Sequence, residues 1–211
     1  MDVAFLITTC NRPESCQRLV DALAGVGDIY VMNDGCEYKI TGVKQSFIHQ
    51  RQGRMGYWYV VNWLFRMRTS HRYYIMLPDD FMPAKDMVTE AIRIWESIED
   101  KDKICLNLYT DRVGQTCWTN FEPIDKGEVY LTQWVDMCFL CEDKFFSIVG
   151  KLPPLYGGTH SSSGVGRFIS TYLYKTKHNL YMVKESLVIP TKEHDKSQMH
   201  NDNSRHSHIG R

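Results

Sequence analysis

The chain has 211 residues, of which 43% are hydrophobic and 24% charged, as is typical of one globular domain with a full core. Its 25 basic and 25 acidic residues cancel, so the net charge indicates neither a nucleic-acid nor a membrane partner. Seven scattered cysteines do not resemble a secreted disulfide framework, and no stretch approaches the roughly 18–20 apolar residues that a membrane-spanning helix needs. We therefore expect a cytoplasmic protein with reduced thiols, one domain over residues 1–211 and no membrane insertion.

In the first half of the chain, short apolar runs alternate with helical patterns. Strands are predicted at VAFLITT (3–9), DIYVMND (28–34), QSFIHQ (45–50), YYIML (73–77) and KICLNLY (103–109). The first helix is predicted to start with Asn11 as its cap and Pro13 in its first turn, and to end at Gly25 and Gly27. Two further helices are predicted at 56–68 and from Met87 to Ile98. This alternation predicts an α/β fold with a mostly parallel sheet covered on both faces.

The second half has a different pattern. VYLTQWVDMCFLCE (129–142) is a long β-prone stretch with a possible bend, GRFISTYLYK (166–175) predicts a helix, and LYMVKESLVIP (180–190) predicts a final strand or pair of strands. Cys138 and Cys141 form a C-x-x-C without a second pair, which favours thiols in the core over zinc ligands.

Polar residues follow three of the predicted strands. Because ligands bind beyond the carboxyl ends of strands in open parallel sheets, these positions predict a nucleotide site. The residues are Thr8, Thr9 and Asn11 after the first strand, Asn33, Asp34 and Gly35 after the second, and Asp79 and Asp80 after the fourth.

The acidic pair in YYIMLPDDFMP is unusual, because a buried strand leads directly into two adjacent carboxylates. Like charges at this separation repel strongly unless a positive charge lies between or beyond them. A divalent cation bound to an anionic substrate, rather than a neighbouring side chain, is the partner that we expect. Between residues 38 and 78 the chain has no acidic residue but several lysines and arginines, and Arg51 and Arg54 flank a glycine as in a phosphate-binding loop. A solvent-exposed basic face is an equally good interpretation of this acid-free block.

Four segments in order carry a family resemblance: FLITTCNRPESCQRLVDAL, IYVMNDGC, QGRMGYWYVVNWLFRM and YYIMLPDDFMP. Together they resemble the N-terminal half of family 2-like glycosyltransferases, whose compact members include bacteriophage enzymes. The resemblance implies a GT-A (Rossmann-like) α/β fold, with a mostly parallel central sheet flanked by helices and a smaller acceptor-side β region. It implies a nucleotide-binding half at 1–83, an acceptor half at 84–190 and a histidine-rich tail at 191–211.

The resemblance also assigns residues to the nucleotide. Thr8 and Thr9 would line the nucleotide pocket, with Asn11 beside them. Asp34 would accept hydrogen bonds from the base of the donor, and Asn33 stands where the family pattern often has another acid.

A DxD-like motif would bind the metal and the diphosphate. Asp80 occupies its last position and would bind Mn²⁺ or Mg²⁺, whereas Pro78 replaces its first acid, so that Asp79 would take over the contact to the ribose. Arg51 or Arg54 would assist at the phosphates.

The catalytic base and the late metal ligand come from the second half. Asp136, an acid in an apolar strand, is the first candidate for the base, and His160 is the second. The family often has a metal-binding histidine after its last strand, which implies His194 as a ligand, with His200 as the second choice.

The function implied is transfer of a sugar from a nucleotide-sugar donor, most simply a UDP-sugar, to an acceptor hydroxyl. The acceptor would be a saccharide or glycan, or a hydroxymethylated pyrimidine in phage DNA, in which case the enzyme would act in the host cytoplasm. A nucleotidyltransferase of related fold and a non-catalytic nucleotide- or sugar-binding domain are the alternatives. The glycine-rich phosphate loop usual in nucleotidyltransferases is missing from ITTCNRPES.

Overall fold

The computed structural model of the chain describes residues 2–34, 37–49, 54–67, 69–110, 122–135, 137–150 and 164–192. Within these ranges the chain forms eleven strands and five helices. The strands are β1 (Val3–Thr9), β2 (Asp28–Asp34), β3 (Gln45–His49), β4 (Tyr73–Pro78), β5 (Phe81–Pro83), β6 (Lys103–Asn107), β7 (Ile124–Asp125), β8 (Val129–Thr132), β9 (Phe139–Glu142), β10 (Asn179–Val183) and β11 (Val188–Pro190). The helices are α1 (Pro13–Ala22), α2 (Arg54–Arg66), α3 (Met87–Ser97), α4 (Asp143–Val149) and α5 (Gly164–Lys175).

Nine of the described strands form one sheet in the order β3-β2-β1-β4-β9-β6-β10-β8-β7. β1 pairs in parallel with β2 and β4, β2 with β3, and β6 with β10. β9 runs antiparallel between β4 and β6, and β8 runs antiparallel to β10. The predicted mostly parallel sheet is therefore confirmed, with antiparallel strands in its second half.

Helices cover both faces of this sheet. Alternate side chains of a strand point to opposite faces, so β1 contributes to the core on each side. Phe5 and Ile7 belong to a core cluster with residues of α1 and α3, whereas Ala4 and Leu6 belong to a second cluster with residues of α2, α4 and α5. Every residue of β1 is buried, as expected for the central strand of a covered parallel sheet. The expected helices on both faces are confirmed.

Several local predictions need correction. Asn11 does not cap α1, because the cap position is occupied by Arg12 and Asn11 has a φ of 54° in the preceding turn. Helix α1 ends at Ala22, before the two glycines that were predicted to end it. The β-prone stretch 129–142 contains two strands, β8 and β9, with residues 133–138 between them. The sequence did not predict α4 or the short strands β5 and β7.

Cys138 and Cys141 lie in the core, as predicted. Cys141 is paired across strands with Cys105, and burial raises the pKa of both thiols. No helix in the described part of the chain is long and apolar enough to cross a membrane.

Helix α5 packs directly against the backbone of Val135, three residues after the end of β8. A Cβ atom on Gly166 would lie 2.7 Å from the carbonyl oxygen of Val135. The Val135 N–H donates to Ser170 Oγ at 2.8 Å, and this hydroxyl donates to the Gly166 carbonyl at 2.7 Å. The contact therefore fixes the chain just before position 136.

Replacing Gly166 with alanine is expected to lower the free energy of unfolding by ~1–3 kcal/mol, because the added methyl group forces α5 away from Val135. Helix propensity alone predicts the opposite sign, a gain of ~1 kcal/mol. Urea unfolding measures the difference, and Tyr174→Ala on the exposed side of α5 is the control, expected to change stability by less than ~0.5 kcal/mol. A Gly166→Ala variant as stable as the parent would contradict the close packing.

Candidate functional site

The carboxyl ends of β1, β2 and β4 meet at one edge of the sheet. Thr9 is paired with Asn33 and Thr8 with Pro78, and the Asp79 N–H donates to the Thr8 carbonyl at 3.0 Å. The three polar groups that the sequence placed after separate strands are thus neighbours. The buried polar residues at this edge are Thr8, Thr9, Asn33, Asp34, Asp79 and Asp80.

Asp79 is fully buried and is held by hydroxyl groups. Thr9 Oγ1 donates to Asp79 Oδ2 at 2.6 Å, and Ser15 Oγ donates to the Asp79 carbonyl at 2.7 Å. The Tyr38 hydroxyl lies 2.7 Å from the same Thr9 oxygen. Since Thr9 gives its proton to the carboxylate, Tyr38 is the donor in that contact. A chain of two hydroxyls therefore orients the Asp79 carboxylate.

Arg12 is the counter-ion of both carboxylates. Its Nη2 forms an ion pair with Asp79 Oδ1, and its Nη1 lies 3.4 Å from Asp80 Oδ2. The side chains of Asp79 and Asp80 are 0% and 8% exposed, against 26% for Arg12. The expectation that no neighbouring side chain balances the acidic pair is therefore wrong, because a guanidinium can contact two carboxylates at once.

Burial controls the ionisation of this cluster. It raises the pKa of Asp79 to about 7, although Arg12 and Thr9 favour the charged form of the carboxyl group. Burial also opposes the charge of Arg12, but Asp79 and Asp80 outweigh it, and the pKa of the guanidinium is raised. Breaking a buried pair by removing one partner typically costs ~3–5 kcal/mol, so Arg12 and Asp79 depend on each other.

Sequence-based prediction missed Arg12, although a signal was present. Arg12 occupies the cap position of α1, where Ser, Thr, Asp or Asn normally accepts a hydrogen bond from the helix backbone. Its side chain makes no cap hydrogen bond and reaches the acidic pair instead. The sequence signal is an arginine shortly after a strand that was predicted to end beside two acids. This pattern predicts an ion pair between the arginine and those acids.

Strand β11 brings the last described residues to the acidic pair. It pairs antiparallel with β5, so that Pro190 lies opposite Phe81. The Thr191 N–H donates to the Asp80 carbonyl at 2.8 Å. The chain that leads to position 194 therefore starts beside Asp80.

The other predicted site residues differ in burial, and several lie outside the described ranges. Asp34, paired with His49 of β3, is 4% exposed at the end of β2, whereas Asn11 is exposed in the turn after β1. Arg54 is the first residue of α2, and its side chain is not described. The predicted residues outside the described ranges are Gly35, Arg51, Asp136, His160, His194 and His200.

The described residues provide only part of the ligand set of a divalent metal. Among the described residues, no three histidine, cysteine, aspartate or glutamate side chains converge on one point. Asp79 and Asp80 nevertheless provide adjacent carboxylates, the hard oxygen ligands that Mg²⁺ and Mn²⁺ prefer. Since both Asp79 oxygens are already contacted by Thr9 and Arg12, Asp80 is the carboxylate of the pair that fits a metal ligand, and the remaining ligands would come from the substrate and from residues outside the described ranges.

No protein-family model matches the sequence, and no curated protein matches it. Among solved structures, the chain is similar to GalNAc-T7 crystallised with UDP, GalNAc and Mn²⁺, with a TM-score of 0.64 and 16% identity over 90% of this chain and 44% of that one. The chain has a GT-A fold. It is also similar to residues 1–349 of S. aureus TarS, with a TM-score of 0.57 and 11% identity over 93% of this chain and 62% of that one. The chain spans less than two thirds of the length of either neighbour. Membership of glycosyltransferase family 2 and a bacteriophage origin stay predictions.

The Thr9 hydroxyl is expected to matter more for stability than the Tyr38 hydroxyl. Thr9→Val removes the only hydroxyl donor that contacts the Asp79 carboxylate among the described residues, and should cost ~1–3 kcal/mol because the acceptor is buried. Tyr38→Phe removes the outer hydrogen bond and should cost ~1 kcal/mol. Urea unfolding of both variants at one pH measures the two costs. An equal or larger cost for Tyr38→Phe would contradict the role of Thr9.

Proposed function

We propose that the protein is a glycosyltransferase that moves a sugar from a nucleotide-sugar, most simply a UDP-sugar, to an acceptor hydroxyl. The observation that carries the proposal is the meeting of three polar strand ends at the carboxyl edge of a GT-A sheet, where ligands of open parallel sheets bind. GalNAc-T7 was crystallised with UDP and Mn²⁺, which supports the same class of donor and metal for this chain.

The nucleotide would lie over the ends of β1 and β2. Asp34 would accept hydrogen bonds from the base, and Thr8, Thr9 and Asn33 would form the polar floor beneath it, with Asn11 at the rim. The structural support for this assignment is that the three floor residues and Asp34 are buried at one edge, so that they are held in place before the donor arrives.

In chain order, the acid-free block of 38–78 has cations after β3 and directly before β3 and β4. Arg51 and Arg54 follow the carboxyl end of β3, next to the strand that carries Asp34, and would face the diphosphate. Lys44 and Arg72 directly precede β3 and β4, so they lie at the opposite, amino end of the strands.

The positions of Lys44 and Arg72 favour a saccharide over DNA as the acceptor. Lys44 Nζ lies 3.6 Å from an Asp28 oxygen, and Arg72 Nη2 lies 3.0 Å from a Glu96 oxygen. These two cations are thus paired with acids and lie at the sheet end away from Asp80, so they lend no support to a DNA acceptor. A hydroxymethylated pyrimidine remains the acceptor to test second.

Asp80 and His194 would hold the Mn²⁺ or Mg²⁺ ion, with Asp79 behind them. When bound, the ion would stabilise the negative charge that develops on the leaving diphosphate. The support for His194 is the hydrogen bond from Thr191 to the Asp80 carbonyl, because the chain from Thr191 to His194 spans up to ~10 Å and can return to the carboxylate.

Asp136 is our candidate for the general base that takes the proton from the acceptor hydroxyl, and His160 is the alternative. The described pairing of β4 with β9 ends at Met76 and Phe139. Because β9 is antiparallel to β4, the chain enters β9 at Phe139 on the edge of the sheet where β4 leads to Asp79, and Asp136 precedes Phe139 by three residues in the sequence. This entry point of β9 supports Asp136 as the base.

Asp80→Asn is expected to reduce donor turnover by about 100-fold or more, because it removes charge that holds the metal at the diphosphate. The assay incubates the protein with labelled UDP-sugars and Mn²⁺, with and without saccharide acceptors or hydroxymethylated DNA, and measures hydrolysis and transfer. Asp86→Asn is the matched control, since Asp86 is an exposed acid after β5 that makes no cap hydrogen bond to α3.

Three outcomes would contradict parts of the proposal. Full activity in EDTA would exclude the metal. Binding of UDP-sugars without turnover, over several donors and acceptors, would favour a binding domain. Formation of a nucleotide-sugar from a nucleoside triphosphate and a sugar phosphate would indicate a nucleotidyltransferase.

His194→Ala is expected to raise the Mn²⁺ concentration needed for donor binding and to reduce turnover by about 10-fold or more, because metal ligands and their supports contribute at least this much. His208→Ala, which removes another imidazole from the same tail, should leave turnover unchanged. Turnover at several Mn²⁺ concentrations and thermal melting separate loss of metal binding from loss of fold. Equal activity of the two variants would show that Asp80 holds the metal without His194.

A further inference from the structure

We propose that Arg12 is an exchangeable counter-ion: it neutralises Asp79 and Asp80 before metal binding, and its guanidinium leaves Asp80 when the divalent ion arrives. Arg12 keeps its ion pair with Asp79 in both states. It is thus a positioning residue that sets the affinity of the site for metal. The inference rests on the proposed metal at Asp80.

Arg12 contacts the two carboxylates unequally. The ion pair with Asp79 is the shorter one, and Asp79 is further fixed by Thr9 and Ser15. The contact with Asp80 is 3.4 Å long, beyond the usual range of N–H···O hydrogen bonds. Of the two contacts, the one with Asp80 is therefore broken at the lower cost.

The electrostatics require a response when the ion binds. A divalent cation on the Asp80 carboxylate carries the same sign of charge as a guanidinium that already contacts this carboxylate, and at such separations in a buried site the repulsion is strong. The guanidinium must therefore move toward Asp79, or the metal binds more weakly.

The local structure allows this movement. Arg12 is tied to α1 through its backbone, since its carbonyl accepts a hydrogen bond from the Cys16 N–H at 3.0 Å. Its side chain makes no cap hydrogen bond and is 26% exposed. The guanidinium can thus change position while the start of α1 stays intact.

Isothermal titration of the full chain with Mn²⁺, in the presence of saturating UDP, tests the proposal. Arg12→Gln should bind Mn²⁺ about tenfold or more tightly than the parent, because a competing positive charge is removed. Arg12→Lys keeps this charge and should stay close to the parent. Arg18→Gln is the matched control, because Arg18 lies on the same helix and contacts Ser15 Oγ at 3.4 Å rather than a carboxylate of the pair.

Thermal melting supplies a second measurement. Arg12→Gln should melt lower than the parent in EDTA, because the buried carboxylates lose their cation, and Mn²⁺ with UDP should raise its Tm by more than it raises that of the parent. A merely structural arginine would lower the Tm equally under both conditions.

An unchanged or weaker Mn²⁺ affinity of Arg12→Gln, with normal binding by the parent, would overturn this inference and leave the metal site standing. If neither the parent nor Asp80→Asn binds Mn²⁺, the metal site and the inference both fail. If Arg12→Gln does not fold, the Nε–Hε NMR signal of Arg12, assigned with Arg12→Lys, decides the question. It should shift when Mg²⁺ and UDP are added, and a constant signal would overturn the proposal.

Discussion

The site depends on the neutralisation of two adjacent carboxylates at the end of a strand that is buried on both faces. Asp79 and Asp80 have almost no contact with solvent, so their charges must be balanced within the protein. Arg12 supplies the positive charge, and Thr9 and Ser15 fix Asp79 through hydrogen bonds. All three residues lie at the end of β1 or the start of α1, which makes the β1–α1 connection the structural support of the acidic pair.

The parallel register then determines what surrounds this pair. β1 lies between β2 and β4, so the ends of all three strands come together and place Asn33 and Asp34 beside Thr9. On the other side, the antiparallel strand β9 and the small β5–β11 sheet carry later parts of the chain to the same edge. The proposed donor site and the later segments β9 and β11 are therefore neighbours, although their residues are far apart in sequence.

The sequence predicted most of the first half of the fold, because local apolar periodicity there agrees with the tertiary structure. It also predicted that the three polar strand ends would meet, since parallel strands end at a common edge. It could not predict that β9 is inserted between β4 and β6, because long-range pairing decides strand order. Arg12 was missed for another reason: Asn11 was predicted as the cap of α1 and a metal ion as the partner of the acidic pair, so no side-chain cation was expected there. The described residues do not test Asp136, His160, Arg51 or His194.

A crystal structure of the protein with UDP and Mn²⁺ tests the central claim most directly, namely that the carboxyl edge of β1, β2 and β4 binds a nucleotide diphosphate through a metal on Asp80. The account predicts the base near Asp34, the ion in contact with the Asp80 carboxylate, and the Arg12 guanidinium on Asp79 alone. A UDP molecule bound away from this edge, or at the edge with Arg12 still bridging both carboxylates and no ion on Asp80, would contradict the account.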